Sequence, residues 1–362
     1  MSKKSVLVII PTYNEAQNIA KMIGAVRKYD VDVLVVDDSS PDLTASIVKR
    51  VAKRDRRVNL LERPAKTGLG LAYRDAFRWG LKRGYGYFVS IDADFSHNPA
   101  DISRLVEASR AKQAIVIGSR YVRGGKISGW DIKRLIQSKL ANRFARLLVG
   151  LKPRDVTAGF KCYPASFVRQ FVRENVVAPG YAFHVETLFS AKLKKIPVFE
   201  LPITFSERRA GQSKVSGELT KAVVAVLKLM IRRPTLRQLV KFGIVGWINV
   251  AIDFGFLNLF VIYGGLSPLI AGLLSTAMAL TNSYLMNRAW TFRGFKGSGE
   301  QGIEFVSFLA VNGTGGLVNW LIFAALFRFV GLNYNFAKAI AIALTTFWNF
   351  FGSKKFVFSK KL

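Results

Sequence analysis

After about residue 240 the chain stops reading like a water-soluble protein. Four long apolar stretches follow: "FGIVGWINVAIDFGFLNLFVIY" (242–263), "SPLIAGLLSTAMALTNSYLM" (267–286), "IEFVSFLAVNGTGGLVNWLIFAALFRFV" (303–330) and "NYNFAKAIAIALTTFWNFF" (333–351). A bilayer core takes about 20 such residues per helix, and soluble helices of that length would keep a polar face. The expected architecture of this part is therefore all-α, with four transmembrane helices. Gly and Asn interrupt the first and third stretches, which packed membrane helices tolerate. Arg232, Arg233, Arg237 and Lys241 precede the first stretch; Arg288, Arg293 and Lys296 separate the second from the third; Lys354, Lys355, Lys360 and Lys361 follow the fourth. The connections at 263–267 and 331–335 carry no charge. Basic loops stay cytosolic, so a multi-pass membrane protein with both termini in the cytosol is expected. "KFGIVG" (241–246) and "SFLAVN" (307–312) open the two halves, and "NRAWTF" (287–292) and "SKKFVF" (353–358) close them, at one offset of 66 residues. Two hairpin repeats would explain this.

The preceding 230 residues have a different texture. "SVLVII" (5–10), "VDVLVVDD" (31–38), "RVNLLE" (57–62), "YFVSID" (87–92) and "QAIVIGS" (113–119) read as buried strands. Helical-period segments alternate with them. Alternating β and α predicts an α/β domain with a mostly parallel, Rossmann-like sheet, whose ligands gather at the carboxyl ends of the strands. Asp37, Asp38, Asp92 and Asp94 all fall at such ends. The opening "MSKKSVLVIIPTYNE" reads as a first strand and turn rather than a secretory leader, so this domain is expected in the cytosol.

Composition narrows the chemistry. The formal net charge is +31, which favours anionic partners such as a phosphorylated substrate or anionic lipid. No nucleic-acid-binding module accompanies that charge, and no obligatory protein partner is evident. One cysteine, Cys162, excludes an internal disulfide, and with only His97 and His184 beside it a His/Cys zinc cluster is excluded too. Neither a Walker loop nor a dinucleotide fingerprint occurs, since Tyr73 fills the third glycine position of "TGLGLAY". What remains is the Asp-x-Asp of "SIDADFSHNP" (90–99). Mg²⁺ and Mn²⁺ prefer oxygen ligands and bind through one or two carboxylates plus substrate phosphates. Asp92 and Asp94 suit that role, with the small Ala93 between them. Two basic amphipathic stretches, 131–150 and 217–234, suit a bilayer interface.

The motifs "VIIPTYNE" (8–15), "VVDDSSPD" (35–42), "KTGLGLAYRDAF" (66–77), "SIDADFSHNP" (90–99), "IGSRYVRGG" (117–125), "DVTAGFKCY" (155–163), "GYAFHVE" (180–186) and "RRAGQSK" (208–214) occur in order. Together they resemble the dolichol-phosphate mannose synthases, inverting glycosyltransferases of family 2 with the GT-A fold. The apolar tail resembles a GtrA-like membrane domain. The resemblance implies a GT-A catalytic domain over 1–216, an interface helix and linker over 217–240, and a four-span domain over 241–362. It implies transfer of mannose from GDP-mannose to dolichyl or polyprenyl monophosphate. Pro11, Tyr13, Glu15, Asp38, Ser40 and Lys66 should border the nucleotide, and Asp92, Ala93 and Asp94 its diphosphate, held through Mg²⁺ or Mn²⁺. Some relatives place Gln two residues after the second Asp; here Ser96, or a water, is the expected third ligand. Arg120, Arg134 and Arg208 should grip the acceptor phosphate, with Lys214 adding charge. His97 is expected to hydrogen-bond behind the metal, and His184 and Glu186 to line the sugar pocket. A UDP-sugar donor is the alternative within this chemistry. A lipid-linked sugar transporter is the alternative outside it, opposed by the scarcity of acidic residues near the spans, Asp253 and Glu304. A processive polysaccharide synthase is disfavoured, because the one Arg-Trp pair, Arg78-Trp79, lies upstream of Asp92.

Overall fold

The computed structural model describes residues 5–174, 180, 182–207, 219–231, 234–294, 300–332 and 334–358. They form two compact units divided after Ile231.

The first unit carries strands β1 (Val6–Thr12), β2 (Asp32–Asp37), β3 (Val58–Glu62), β4 (Tyr87–Ser90), β5 (Ile115–Ser119), β6 (Lys126–Ile127), β7 (Lys161–Pro164), β8 (Val198–Pro202) and β9 (Thr204–Phe205). Its helices are α1 (Ile19–Val26), α2 (Thr44–Arg54), α3 (Leu69–Lys82), α4 (Asp101–Lys112), α5 (Ile132–Val149), α6 (Ala165–Phe171), α7 (Ala182–Leu193) and α8 (Leu219–Ile231). Among the described residues seven strands form one sheet in the order β3-β2-β1-β4-β7-β5-β8. Neighbours run parallel except β7, which is antiparallel to β4 and β5. Strands β1, β2, β4 and β5 are covered on both faces and buried along nearly their whole length, whereas the edge strands β3 and β8 are only partly buried. Leu7 and Ile9 of β1 face a core shared with α3, α6 and α7. Val6, Val8 and Ile10 face the opposite core, shared with α1, α2 and α4. The chain moves outward from β1 to β3 and then returns to β4 on the other side of β1. In open α/β sheets such a reversal marks where ligands bind, here at the carboxyl ends of β1 and β4.

Helix α5 departs from a packed surface helix. It buries Asn142, Ala145 and Val149 and exposes Ile132, Ile136, Leu140, Phe144 and Leu147. At 3.6 residues per turn these apolar residues form a stripe opposite the packed face. Helix α8 packs against α5 and α7, and its Val226 and Leu229 join the core of the first unit. The compact unit therefore runs beyond residue 216, to Ile231.

The second unit holds α9 (Pro234–Ile262), α10 (Pro268–Met286), α11 (Gln301–Arg328) and α12 (Tyr334–Gly352). Thr235–Ile262 and Gln301–Leu326 are long and apolar enough to cross a membrane. The sequence repeat has a structural counterpart. One π-helical turn, Asn287–Thr291, follows α10, and another, Ser353–Val357, follows α12, again 66 residues apart. Phe292 and Phe358 stack on each other at 4.7 Å, and the contacts around them come in matched pairs. Phe242–Phe292 and Phe308–Phe358 are both 6.3 Å; Phe242–Phe350 and Tyr284–Phe308 are both 5.8 Å. Arg288 pairs with Glu304 at 3.2 Å. The equivalent Lys354 donates to Gln238 Oε1, the equivalent of Glu304, at 2.8 Å. Each repeat thus contributes its closing cation to the other repeat's opening helix, an approximate two-fold arrangement.

Candidate active site

The nucleotide end is built at the carboxyl ends of β1 and β2. The hub is Asp37, 1 % exposed. It accepts hydrogen bonds from Thr12 Oγ1 at 2.8 Å and from Ser40 Oγ at 2.6 Å and N at 2.9 Å. Ser40 Oγ in turn accepts from the Asn14 backbone at 3.0 Å. Asn14 has a φ of 58° and Ser39 one of 55°, so both loops turn sharply through left-handed residues. Pro11, one residue before the end of β1, is in register with Val36. Tyr13 stands beyond it, half-buried, with Lys66 Nζ 3.9 Å from the centre of its ring, a cation–π contact. Glu15 starts the turn into α1: its N–H donates to Thr44 Oγ1 at 3.0 Å and its Oε2 accepts from Asn18 at 3.1 Å. Asp38 is buried and paired with Arg63 at 2.5 Å rather than open to solvent. Burial raises its pKa, and the Arg63 guanidinium opposes that rise.

The carboxylate end follows β4. The strand stops at Ser90, two residues earlier than the sequence reading; Ile91 N–H still reaches Ile9 C=O at 3.2 Å. Asp92 and Asp94 therefore lie in a turn, not on an alternating strand. Asp94 Oδ1 accepts the Ser96 N–H at 3.0 Å, and Phe95 adopts a φ of 60°, an Asx-type closure. The Asp92 side chain is 31 % exposed. Its carboxylate lies against Gly159: a Cβ placed there would sit 3.1 Å from Asp92 Oδ2. The Gly159 carbonyl is fixed by Ser90 Oγ at 2.5 Å. Ala93 turns into the core beside β1 and β2. Ser96 is buried, and its carbonyl accepts from Ser206 N at 3.0 Å.

Behind the carboxylates, His97 is buried with Nδ1 3.7 Å from Asp92 Oδ2, and desolvation lowers its pKa to about 4. Its Nδ1 has no hydrogen-bond partner among the described residues. Phe205 gathers the neighbouring groups. His97 lies 5.1 Å from its ring, Trp130 5.3 Å and the Arg120 guanidinium 5.3 Å, while Arg134 sits 4.3 Å over Trp130. The pairing of β6 with β9 and the bridge from His97 to Phe205 hold this arrangement. Phe205 carried no sequence signal beyond its hydrophobicity.

Arg120 is not presented to solvent. Its Nε and Nη2 donate to both oxygens of Asp155 at 2.7 Å, and Nη2 also to Thr157 at 2.9 Å. Burial opposes charge on both partners, yet their attraction prevails: the pKa of Asp155 is lowered and that of Arg120 raised. Glu200 clamps the same loop, accepting from the Asp155 backbone at 2.9 Å. Arg120, expected to grip an acceptor phosphate, thus also holds the loop leading to Gly159 by a bidentate pair. Arg134, near the start of α5, reaches Glu207 at 3.4 Å and is 35 % exposed. His184 and Glu186 are buried on α7, and the His184 carbonyl accepts from buried Lys161 Nζ at 3.0 Å. Desolvation lowers the pKa of Lys161 to about 7. Arg208 and Lys214 lie outside the described residues.

No cluster of three or more His, Cys, Asp or Glu that could hold a metal exists among the described residues. Asp92 and Asp94, both half-buried, place two hard oxygen donors two residues apart beyond the end of β4. That donor set fits a Mg²⁺ or Mn²⁺ ion that takes its remaining ligands from phosphate and water.

Residues 7–172 match glycosyl transferase family 2, and residues 241–358 match the GtrA/DPMS transmembrane domain. The chain is 42 % identical to the polyprenol monophosphomannose synthase of Mycolicibacterium smegmatis over 62 % of its own length and 87 % of that protein. It is 32 % identical to the dolichol-phosphate mannosyltransferase of Pyrococcus furiosus over 94 % of its length and 95 % of that protein. The chain belongs to the dolichol-phosphate mannose synthase family. The undecaprenyl-phosphate mannosyltransferase of Micrococcus luteus, 44 % identical over 62 % of this chain and 93 % of its own, matches a similar length of the chain to the mycobacterial enzyme. The first unit is accordingly a GT-A-like glycosyltransferase domain, and the second is a helical membrane domain of the GtrA/DPMS type.

Proposed function

We propose that the protein transfers mannose from GDP-mannose to a dolichyl or other polyprenyl monophosphate, with inversion, on the cytosolic face of a membrane that its second unit crosses four times. The observation that carries the reading is the pair Asp92 and Asp94 in a turn at the sheet's switch point, on the same edge as the Tyr13–Lys66 contact. Tyr13, Lys66 and Ser40 border the base and ribose, and the two carboxylates face the diphosphate. A divalent ion held there would neutralise charge on the departing diphosphate. The acceptor is already an anion near neutral pH, so the chain need not supply a strong base; it must align two anions and compensate their charge. Arg134 serves the acceptor phosphate, because its pairing with Glu207 is long and partly exposed and can be exchanged for a stronger bidentate partner. Arg208 and Lys214 are proposed to join it. The apolar stripe of α5, flanked by Lys133, Lys139, Arg143 and Arg146, rests on the bilayer where the lipid phosphate emerges.

Mass spectrometry of the lipid product tests this. Purified protein is given polyprenyl monophosphate with GDP-mannose, UDP-glucose or UDP-galactose in turn. A hexosyl-phosphate lipid formed from GDP-mannose alone is the expected result. Product from a UDP-sugar instead would replace the donor, and no lipid product from any donor would remove the proposed reaction.

A further inference from the structure

Arg63 follows β3 directly. Its N–H donates to the Asp37 carbonyl and its own carbonyl accepts from Ser39 Oγ, both at 2.9 Å. The side chain is 8 % exposed, and three acceptors from three parts of the chain surround it. Nη1 donates to Asp38 Oδ1 at 2.5 Å, Nε to Asp75 Oδ2 of α3 at 3.1 Å, and Nη2 to Thr67 Oγ1. The backbone of Gly68 adds a hydrogen bond to Asp38. The short loop 64–68, which carries Lys66, is therefore tied to one buried guanidinium at its start, through Arg63 itself, and at its end, directly through Thr67 and by way of Asp38 through Gly68. The proposed reaction gives Arg63 no part, yet a buried charge is kept at a cost unless it organises something.

We infer that Arg63 is the positioning residue of the nucleotide end: it holds the end of β2 and the Lys66 loop so that Lys66 lies over Tyr13, and through them it sets the affinity for a nucleoside diphosphate. The inference rests on the reading of Tyr13 and Lys66 as nucleotide-binding residues. A planar fork addresses several acceptors at once, whereas a lysine ammonium, a compact point charge, satisfies fewer of them in place. Without the guanidinium, Asp38 is left buried and uncompensated, and it will take up a proton or turn toward water. Either change releases the loop. Asp75 is 38 % exposed, so its bond is screened and matters less.

The test uses the full-length protein in lipid nanodiscs, with GDP as the binding probe. Arg63→Met should raise the Kd for GDP and the donor KM by about tenfold or more, with kcat and the acceptor KM within about threefold of wild type. Arg63→Lys should fall between Met and wild type, and Asp75→Asn should change Kd by less than about threefold. A GDP Kd within about twofold of wild type in Arg63→Lys and Arg63→Met would overturn the inference. So would equal losses for donor and acceptor accompanied by a lowered Tm, the mark of a role in folding alone. If Arg63→Met does not fold, Arg63→Lys, which keeps the charge, decides. Tyr13→Ala and Lys66→Ala separate the two layers. If they weaken GDP binding while the Arg63 variants do not, only the Arg63 role falls; if they too leave GDP binding unchanged, the nucleotide site itself is misplaced.

Discussion

Gly159→Ala is a one-methyl probe of the carboxylate end. The added Cβ would meet Asp92 Oδ2 at 3.1 Å, with Cγ and Oδ1 at 3.6 Å. That is a few tenths of an ångström inside ordinary van der Waals contact, so something must move. The Gly159 carbonyl is fastened by Ser90 Oγ and the preceding loop by the Arg120–Asp155 pair. Asp92, with a side chain 31 % exposed, is expected to give way. The fold should hardly notice, since replacing Gly by Ala at a compatible backbone angle changes stability by less than about 1 kcal/mol. The displaced carboxylate should. Where a 1 Å misplacement can cost about a hundredfold, a shift of a few tenths should cost about three- to tenfold in Mn²⁺·GDP affinity and in transfer rate. Electron paramagnetic resonance of Mn²⁺ with GDP gives the affinity, a single-turnover assay the rate, and a thermal melt the stability. Wild-type affinity and rate in a folded variant would refute the placement of Asp92 against Gly159 as a determinant of the site.

Three further expectations follow from the geometry. Arg134→Ala should raise the KM for the lipid phosphate by about tenfold and leave that for GDP-mannose unchanged, with partial recovery in Arg134→Lys; equal effects on both substrates would count against its assignment. The lowered pKa of Lys161 means that between about pH 7 and 10.5 the unfolded chain holds a proton which the folded chain lacks. The penalty is therefore fully present below pH 7, and stability rises with pH across that window, by up to about 1.4 kcal/mol per pH unit from this group. Relative to Lys161→Met, wild type should gain in melts run from pH 7 toward 10, and parallel curves would contradict the burial argument. Ile136→Glu with Leu140→Glu on the exposed stripe of α5 should reduce transfer to lipid in vesicles, while transfer to a short water-soluble prenyl phosphate stays within about twofold; equal loss with both acceptors would exclude the bilayer contact.

Much of this molecule is written locally, and what is missing is non-local. The first five strands are legible because parallel strands covered on both faces are continuous apolar runs, as "VLVII" and "VLVV" show. β7 is not: Lys161 breaks its apolar run, and the strand belongs to the sheet through Ser90, 71 residues away. Asp92 and Asp94 stand out as a motif, but the support for Asp92 comes from Gly159 and that of the surrounding loop from Asp155, which no spacing rule connects to them. Arg120 stands out as a motif arginine, but its bidentate partner Asp155, 35 residues on, does not. Asp38 was legible as a strand-end carboxylate, whereas its partner Arg63, 25 residues on, was hidden among 54 Lys and Arg residues. In the second unit the repeated text announced the duplication; the paired π-helical turns and the stacking of Phe292 on Phe358 follow from tertiary packing alone.

Anomalous diffraction at the manganese edge, from crystals grown with GDP-mannose and Mn²⁺, bears most directly on the proposal that Asp92 and Asp94 organise the departing diphosphate. A single strong peak within coordination distance of both carboxylates and the nucleotide's phosphates is the expected result. Nucleotide bound elsewhere, with no peak between Asp92 and Asp94, would contradict it.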